Sequence, residues 1–224
     1  MITSDSLTIP HHDKLLQWKG PLVTALLCLP ALVVFYIPGM QDWLQYDRAA
    51  IRAGQVWRLL TGHWTHWSGD HLFWDLGTFA CLLVWCQARG MKGLVWKNLL
   101  ASIAISAGLW LVQPDMILYR GLSGLDCFLY SLLAIDYCFE RNSLLHAAGI
   151  IALVALILKV SYEILSGHFL FVGSMPQTPI PEAHLFGALM AGALGRIPIK
   201  MQFRKWQLRQ QNRLHEKGLQ ERKW

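Results

Sequence analysis

Six apolar stretches, separated by polar or charged segments, form the main pattern of this chain. They lie at about residues 21–37, 71–88, 99–112, 122–139, 144–165 and 184–199. Several are shorter than the ~20 residues that a helix needs to cross a bilayer, and we expect Trp, His and Gly residues at their ends to complete them. The pattern predicts an all-α membrane protein with six transmembrane helices.

The composition and the polar ends of the chain fit this architecture. Of the 224 residues, 54% are hydrophobic and eleven are Trp, which is typical of membrane proteins. We predict a cytoplasmic N-terminal segment (1–20), a six-helix membrane domain (21–199) and a basic cytoplasmic tail (200–224). The first stretch is predicted to be a span and not a cleaved signal peptide, because five more stretches follow it and no small-residue cleavage site closes it.

The net charge of +6 is compatible with nucleic-acid binding, but the positions of the basic residues indicate a membrane orientation. Fifteen of the twenty Lys and Arg residues precede the first stretch, lie between stretches two and three or four and five, or occur from residue 196 onward. Four lie in the opposite connections, and Lys159 lies within the fifth stretch. Because cytoplasmic connections are enriched in basic residues, both termini are predicted to be cytoplasmic. The expected partner is the lipid bilayer, not nucleic acid.

Neither the cysteines nor the histidines predict a metal centre. All five Cys residues lie in or at the ends of apolar stretches, so we expect small apolar side chains and no disulfide framework. His63, His66, His71 and Asp75 are possible metal ligands, but His63 and His66 lie in a Trp-rich segment and not on a defined ligand helix. The sequence therefore predicts no metal and no cofactor.

Three reactive side chains lie at the entries of alternate apolar stretches. His71, Ser123 and His184 open stretches two, four and six, which all run from the outer to the inner face in the predicted orientation. We expect the three groups at one depth, just below the outer surface, where ionisable groups usually mark function. Small residues of stretch six, such as Gly187 and Ala188, would allow close packing against stretch four and bring His184 to Ser123.

The sequence Gly121-Leu122-Ser123-Gly124 has two interpretations. Gly and Ser allow close helix packing in membranes; alternatively, Ser123 is a nucleophile activated by a base on another helix. Asp126 is either a third member of such a site or a polar group near the outer water. Lys159 and Glu163 are four residues apart and are expected to neutralise each other on one helix face, with transport through them as the alternative.

Together these motifs resemble the rhomboid family of intramembrane serine proteases. The resemblance covers about residues 50–195 and rests on Trp57-Arg58, on His66 with His71 and Asp75, on Gly121-Leu122-Ser123-Gly124, and on Ala183-His184 with Gly187. It implies a rhomboid-like bundle in which Ser123 is the nucleophile and His184 the general base. His71 and the Ser123 backbone amide would stabilise the oxyanion, with His66, Asp75, Gly121 and Gly124 around them.

Two positions depart from the family pattern. Asp75 stands where the family has Asn, and Ala191, next to Gly192, stands where it has Gly. An ionised carboxylate cannot donate to an oxyanion. Asp75 is therefore expected either to stay protonated through burial or to stay ionised and accept from His71 one turn earlier, and we favour the second interpretation.

The His-Leu-Phe-Trp-Asp run at residues 71–75 and the compact length resemble rhombosortases, a rhomboid branch in Gram-negative bacteria. This resemblance implies a serine endopeptidase of the bacterial inner membrane that cuts near the periplasmic face. Its substrates would be exported single-span proteins with a C-terminal Gly-Gly motif, a hydrophobic helix and a basic tail. Two alternatives stay open on the sequence: a non-catalytic rhomboid-like protein that binds membrane helices, and a His-metal membrane enzyme.

Overall fold

Helices make up most of the described chain. The computed structural model describes residues 12–168 and 180–195, with side chains from residue 20 onward. Apart from two strands of two residues each, the all-α class predicted from the sequence is confirmed. The elements in chain order are α1 (His12–Tyr36), α2 (Met40–Leu44), β1 (Tyr46–Asp47), α3 (Arg48–Arg52), α4 (Arg58–Thr61), a 3-10 helix (Gly62–Trp64), α5 (Gly69–Ala88), α6 (Leu94–Val112), β2 (Leu118–Tyr119), α7 (Ser123–Cys138), α8 (Ser143–Ser166) and α9 (Pro181–Gly195).

The six predicted apolar stretches lie on the six long helices. These are α1, α5, α6, α7, α8 and α9. Helix α1 begins at His12, so the predicted N-terminal segment 1–20 is already helical from residue 12. Residues 1–11, the end of the sixth stretch (196–199) and the tail 200–224 lie outside the described residues.

Two of the described helices are long and apolar enough to cross a membrane, namely α6 with a mean hydropathy of 1.5 and α8 with 2.2. The apolar part of α1, Gly20–Tyr36, is shorter. Helices α7 and α9 have only 16 and 15 residues, and α5 and α7 contain the buried carboxylates Asp75 and Asp126. Length and composition alone therefore identify two of the six predicted spans.

Helix α7 is at the centre of the bundle. It packs against α5, α6, α8 and α9, and most of its residues are buried, including Leu125, Phe128 and Leu132. A helix that is surrounded by protein can carry polar groups that find partners on its neighbours. The central position thus explains how a short helix containing Asp126 is accommodated in an otherwise apolar bundle.

Glycines bring α7 and α9 into backbone contact. A Cβ on Gly187 would overlap with the carbonyl oxygen of Gly124, and a Cβ on Gly124 would lie 3.0 Å from the carbonyl oxygen of Ala183. Only residues without a Cβ allow two helix backbones to approach so closely. The predicted close packing of these two helices through small residues is confirmed.

Some polar side chains lie inside the bundle together with the apolar core, and many large apolar side chains are exposed on its outside. On α6, Asn98 Nδ2 donates to the carbonyl oxygen of Leu94, and Ser102 Oγ donates to that of Asn98, both at 2.8 Å. A broad exposed apolar surface is typical of a protein that contacts a membrane or another apolar partner. The exposed large apolar residues include Leu22, Leu26, Trp96, Leu111, Ile151, Leu158 and Leu165.

A cap of short elements, residues 40–68, covers the end of the bundle where α7 begins. Its strand β1 pairs antiparallel with β2, and Tyr46 is opposite Tyr119. The buried Arg48 donates to the carbonyl oxygens of Trp110 and Gln113 at 3.1 and 2.6 Å. These bonds satisfy carbonyl groups at the C-terminal end of α6, for which the helix itself provides no N–H donor. The cap therefore fixes the chain segment that leads from α6 into α7.

The Trp57-Arg58 pair holds the cap together. Arg58 is buried and donates to the carbonyl oxygens of Asp42 and Gln45, both at 2.9 Å. The Trp57 ring lies against Trp43, with their centroids 6.1 Å apart. The Trp-rich outer segment is thus a folded layer of short helices, tied together by buried charge-assisted hydrogen bonds.

Candidate functional site

The turn before α7 is built around Gly121. Its φ angle is +127°, a region that favours glycine because a Cβ is strained there. A Cβ would also lie 2.9 Å from His71 Nε2 and 3.0 Å from Asp75 Oδ2. Gly121 therefore allows the turn to lie directly against the polar side chains of α5.

Asp75 connects α5 to this turn. Its side chain is buried, and Oδ2 accepts a hydrogen bond from the backbone N–H of Leu122 at 2.9 Å. The same oxygen lies 3.1 Å from His71 Nε2 and 3.5 Å from His66 Nε2. The expected contact between Asp75 and His71, one turn apart, is present. The bond to the turn was not predicted.

His71 has neighbours at both ring nitrogens. Nε2 faces Asp75, and Nδ1 accepts a long hydrogen bond of 3.5 Å from the backbone N–H of Trp67. The backbone of His71 is fixed as well, because its N–H donates to Ser68 Oγ, the cap of α5, at 3.1 Å. In this arrangement Nε2 points toward a carboxylate, so an oxyanion role for His71 stays a prediction.

His66 is the buried neighbour of the His71–Asp75 pair. Its ring is buried and packs edge-on against His71, with the centroids 5.1 Å apart. Its backbone N–H donates to Gln41 Oε1 at 2.9 Å, which ties it to the cap. Burial lowers the pKa of His66, so the ring is neutral at pH 7. His66 is placed to support His71 and Asp75 and lies away from the bundle surface.

His63 supports the turn from the side of α6. Its Nε2 lies 3.0 Å from the carbonyl oxygen of Ser102 and 3.1 Å from Ser106 Oγ. Its ring packs edge-on against Tyr119, whose hydroxyl donates to the carbonyl oxygen of Gly121 at 3.1 Å. Burial lowers the pKa of His63 to about 4. His63 thus has a structural position that the sequence did not indicate.

Ser123 is the first residue of α7 and is half-buried. Burial raises the pKa of the neighbouring Tyr119 phenol, and a hydrogen bond from Ser123 partly offsets this effect. The N–H groups of the first helical turn have no acceptor within the helix, and the N-terminus of a helix favours negative charge. The start of α7 therefore offers a hydroxyl next to backbone N–H donors.

His184 lies in the first turn of α9 and is buried. The backbone contact between Gly124 and Ala183 joins the residue after Ser123 to the residue before His184. The structure thus places the entry of α7, with Ser123, next to the entry of α9, with His184; that the two side chains act together stays a prediction.

His184 is also part of a buried ionic cluster that the sequence did not predict. Its Nδ1 lies 2.8 Å from Glu163 Oε2, on α8. Lys159 Nζ donates to both oxygens of Glu163 at 2.8 Å and lies 3.2 Å from His184 Nδ1. The expected Lys159–Glu163 pair is confirmed. The spacing of four residues indicated that pair. No local pattern indicated the contact between Glu163 and His184, which are 21 positions apart on different helices.

Asp126 lies in the interior of the bundle, and the candidate metal ligands make contacts with protein groups. Asp126 is only 9% exposed, so it lies inside the bundle and not near the outer water. Within residues 12–168 and 180–195, no group of three His, Cys, Asp or Glu side chains is arranged to hold a metal ion. Asp75 instead forms a cluster with His66 and His71, and Glu163 forms one with Lys159 and His184.

Comparison with protein-family models and with curated proteins gives no match to this chain. What the site can do therefore follows from the chemistry of its own residues. A serine hydroxyl, an imidazole with one nitrogen directed at a carboxylate, and a helix N-terminus are the groups required for nucleophilic attack on a carbonyl. They lie where the entries of α7 and α9 are in backbone contact.

Proposed function

We propose that this protein is an intramembrane serine endopeptidase of the rhomboid type, with Ser123 as the nucleophile and His184 as the general base. The observation that carries the proposal is the backbone contact between Gly124 and Ala183. This contact holds the entry of α7 against the entry of α9, which supports a site that combines the half-buried Ser123 with the buried His184. A helix-packing role alone would not require the imidazole to be buried with a carboxylate partner.

The proposed reaction uses the start of α7 in two ways. Ser123 Oγ attacks the scissile carbonyl while His184 Nε2 takes the hydroxyl proton. The resulting oxyanion lies near the N-terminus of α7, where the Ser123 N–H and the helix dipole stabilise negative charge. His184 then gives the proton to the leaving amine, and water hydrolyses the acyl-enzyme by the same route.

The proposed setting is the bacterial inner membrane, crossed six times with both termini cytoplasmic. Two apolar helices, α6 and α8, and the broad apolar surface of the bundle support a membrane location. Cleavage would occur near the periplasmic face. The proposed substrates, exported proteins with a Gly-Gly-type C-terminal sorting helix, rest on the resemblance to rhombosortases.

The first experiment is covalent labelling. Purified protein in detergent should react with a fluorophosphonate probe at Ser123, because His184 activates that hydroxyl. Ser123→Ala should abolish labelling as well as cleavage of a co-expressed Gly-Gly-tailed membrane substrate, whose new C-terminus is identified by mass. Ser131→Ala, which removes a buried serine two turns along the same helix, should keep both. Cleavage that survives Ser123→Ala would exclude the serine mechanism.

A further inference from the structure

The geometry around His184 points to a third member of the site. We infer that Glu163, held by Lys159, is a positioning residue that orients His184 and stabilises its protonated form, so that the site works as a Ser-His-Glu triad. This inference rests on the proposed serine protease function. It adds a residue from α8, a helix that carries none of the motifs behind the resemblance.

Glu163 occupies the narrow buried face of an otherwise apolar helix. The buried residues of α8 are Gly149, Leu156, Val160 and Glu163, which follow helical spacing along one stripe facing α7 and α9. A buried charge is costly unless it is paired and hydrogen-bonded. Glu163 is 2% exposed and has two partners of suitable chemistry, Lys159 and His184. Its position is thus explained by those two contacts.

The contact with Glu163 selects one tautomer of His184. A carboxylate only accepts hydrogen bonds, so the 2.8 Å contact requires the proton on Nδ1. Nε2 is then left with a lone pair, which a base needs in order to take the proton of Ser123. The opposite tautomer would accept from Lys159, which lies farther away at 3.2 Å, and it would be unable to act as a base through Nε2.

The charges of the cluster also match the reaction. In the resting state Lys159 and Glu163 neutralise each other beside the imidazole of His184. When the Ser123 O–H bond breaks and the new N–H bond forms on Nε2, the imidazolium lies next to the Lys159 cation. Glu163 offsets that repulsion. Without Glu163 the same cation would oppose the proton transfer.

Other ionisable groups lie on the helices around Lys159, Glu163 and His184 and can also affect the pH–rate profile. Helix α7 contributes Asp126 and Cys127, which interact electrostatically with Lys159. Helix α9 itself carries Glu182, and α6 carries only Lys97. The contact of Gly108 with Phe186 places the later part of α6 beside His184, so Lys97 lies more than two turns away.

Glu163→Gln tests the role of the carboxylate. We expect the rate of cleavage to fall about a hundred- to ten-thousandfold, mainly in kcat, because the amide favours the wrong tautomer and removes the negative charge. The acidic limb of the pH–rate profile should move to lower pH, since loss of the anion makes His184 harder to protonate. Glu163→Asp should restore part of the rate. Glu140→Gln, which removes one of the two carboxylate partners of Arg89 beyond the far end of α7, should be neutral.

Lys159→Met provides a second, opposite readout. Removing the cation makes the imidazolium more favourable, so the acidic limb should move to higher pH. Lys159→Met also tests the triad if Glu163→Gln does not accumulate in the membrane. Unchanged pH profiles in folded Glu163→Gln or Lys159→Met, with wild-type kcat, would overturn the triad while leaving the Ser123–His184 pair intact. Absence of Ser123-dependent labelling in the wild type would instead overturn the proposed function itself.

Discussion

At the scale of single residues, Asp75 joins His66 and His71 to the turn before Ser123. In Asp75→Asn the amide oxygen can still accept from Leu122 N–H, but the negative charge beside His71 is lost. We expect near wild-type stability in a detergent unfolding titration and cleavage that is roughly ten- to a thousandfold slower, the general scale for losing one oxyanion donor. The acidic limb of the pH–rate profile should also shift, because the charge of Asp75 is lost from the site.

Asp75→Ala is the matched comparison, because it removes the hydrogen bond to Leu122 as well as the contacts with His66 and His71. It should lose about 2 kcal/mol of free energy of unfolding through the unpaired Leu122 N–H, in addition to the loss of rate. A fully active Asp75→Asn with an unchanged pH profile would show that the carboxylate only anchors the turn.

The same residues show how far local sequence reasoning reaches. The contact of Asp75 with His71 follows from a spacing of four residues on one helix, and so does the Lys159–Glu163 pair; both are present. The bond from Leu122 to Asp75 joins residues 47 positions apart. It depends on how α5 and α7 are arranged in space, which helical periodicity does not specify.

At the scale of helices, the α7–α9 contact depends on the absence of a Cβ at Gly187. In Gly187→Ala the new methyl group would overlap with the backbone of Gly124, so the helices must separate and carry Ser123 away from His184. We expect a loss of about 1–3 kcal/mol in the free energy of unfolding and a fall in labelling at Ser123, measured on the same purified protein.

Gly192→Ala is the control for this prediction. A Cβ at Gly192 meets no atom of the described residues within 4 Å, and alanine is a better helix former than glycine. That variant should therefore be as stable as the wild type or slightly more stable, with unchanged labelling. Equal behaviour of the two variants would show that close packing of α7 and α9 is not needed.

The helices themselves were predictable, but the cap was not. Long apolar runs with glycine or polar ends predict helices, and α7 begins at Ser123 where the fourth stretch was expected to start near residue 122. The strands β1 and β2 have two residues each, too short for any alternation of apolar and polar positions. Their pairing depends on buried arginines that reach distant carbonyl groups, such as Arg48 to Gln113.

At the scale of the whole molecule, three cations of the cap end are held by oxygen acceptors, whereas two cations of the opposite end are exposed. At the cap end Arg48 and Arg58 are buried and bonded to carbonyl oxygens, and Arg120 contacts Asp42. At the other end Lys92 and Arg141 are exposed. Exposed basic residues in short connections favour the cytoplasmic side. The distribution therefore supports an orientation in which the cap and the site face the periplasm.

The number of spans can be tested by the position of the cap relative to the tail. If all six long helices cross the membrane, the cap is periplasmic while the turn between α5 and α6 and the residue Trp224 are cytoplasmic. If only α6 and α8 cross, the cap, that turn and the tail share one side. Ala53 and Lys92 are exposed and report on the cap and on the turn.

We expect Ala53→Cys to react with a membrane-impermeant maleimide in intact spheroplasts, above the background of the five native cysteines. Lys92→Cys should react only after permeabilisation, because the α5–α6 turn lies on the cytoplasmic side. A reporter fused after Trp224 should also read cytoplasmic. Labelling of both cysteine variants from the same side would contradict the six-span arrangement. Labelling of Lys92→Cys alone from outside would reverse the orientation and place Ser123 and His184 at the cytoplasmic face, out of reach of exported substrates.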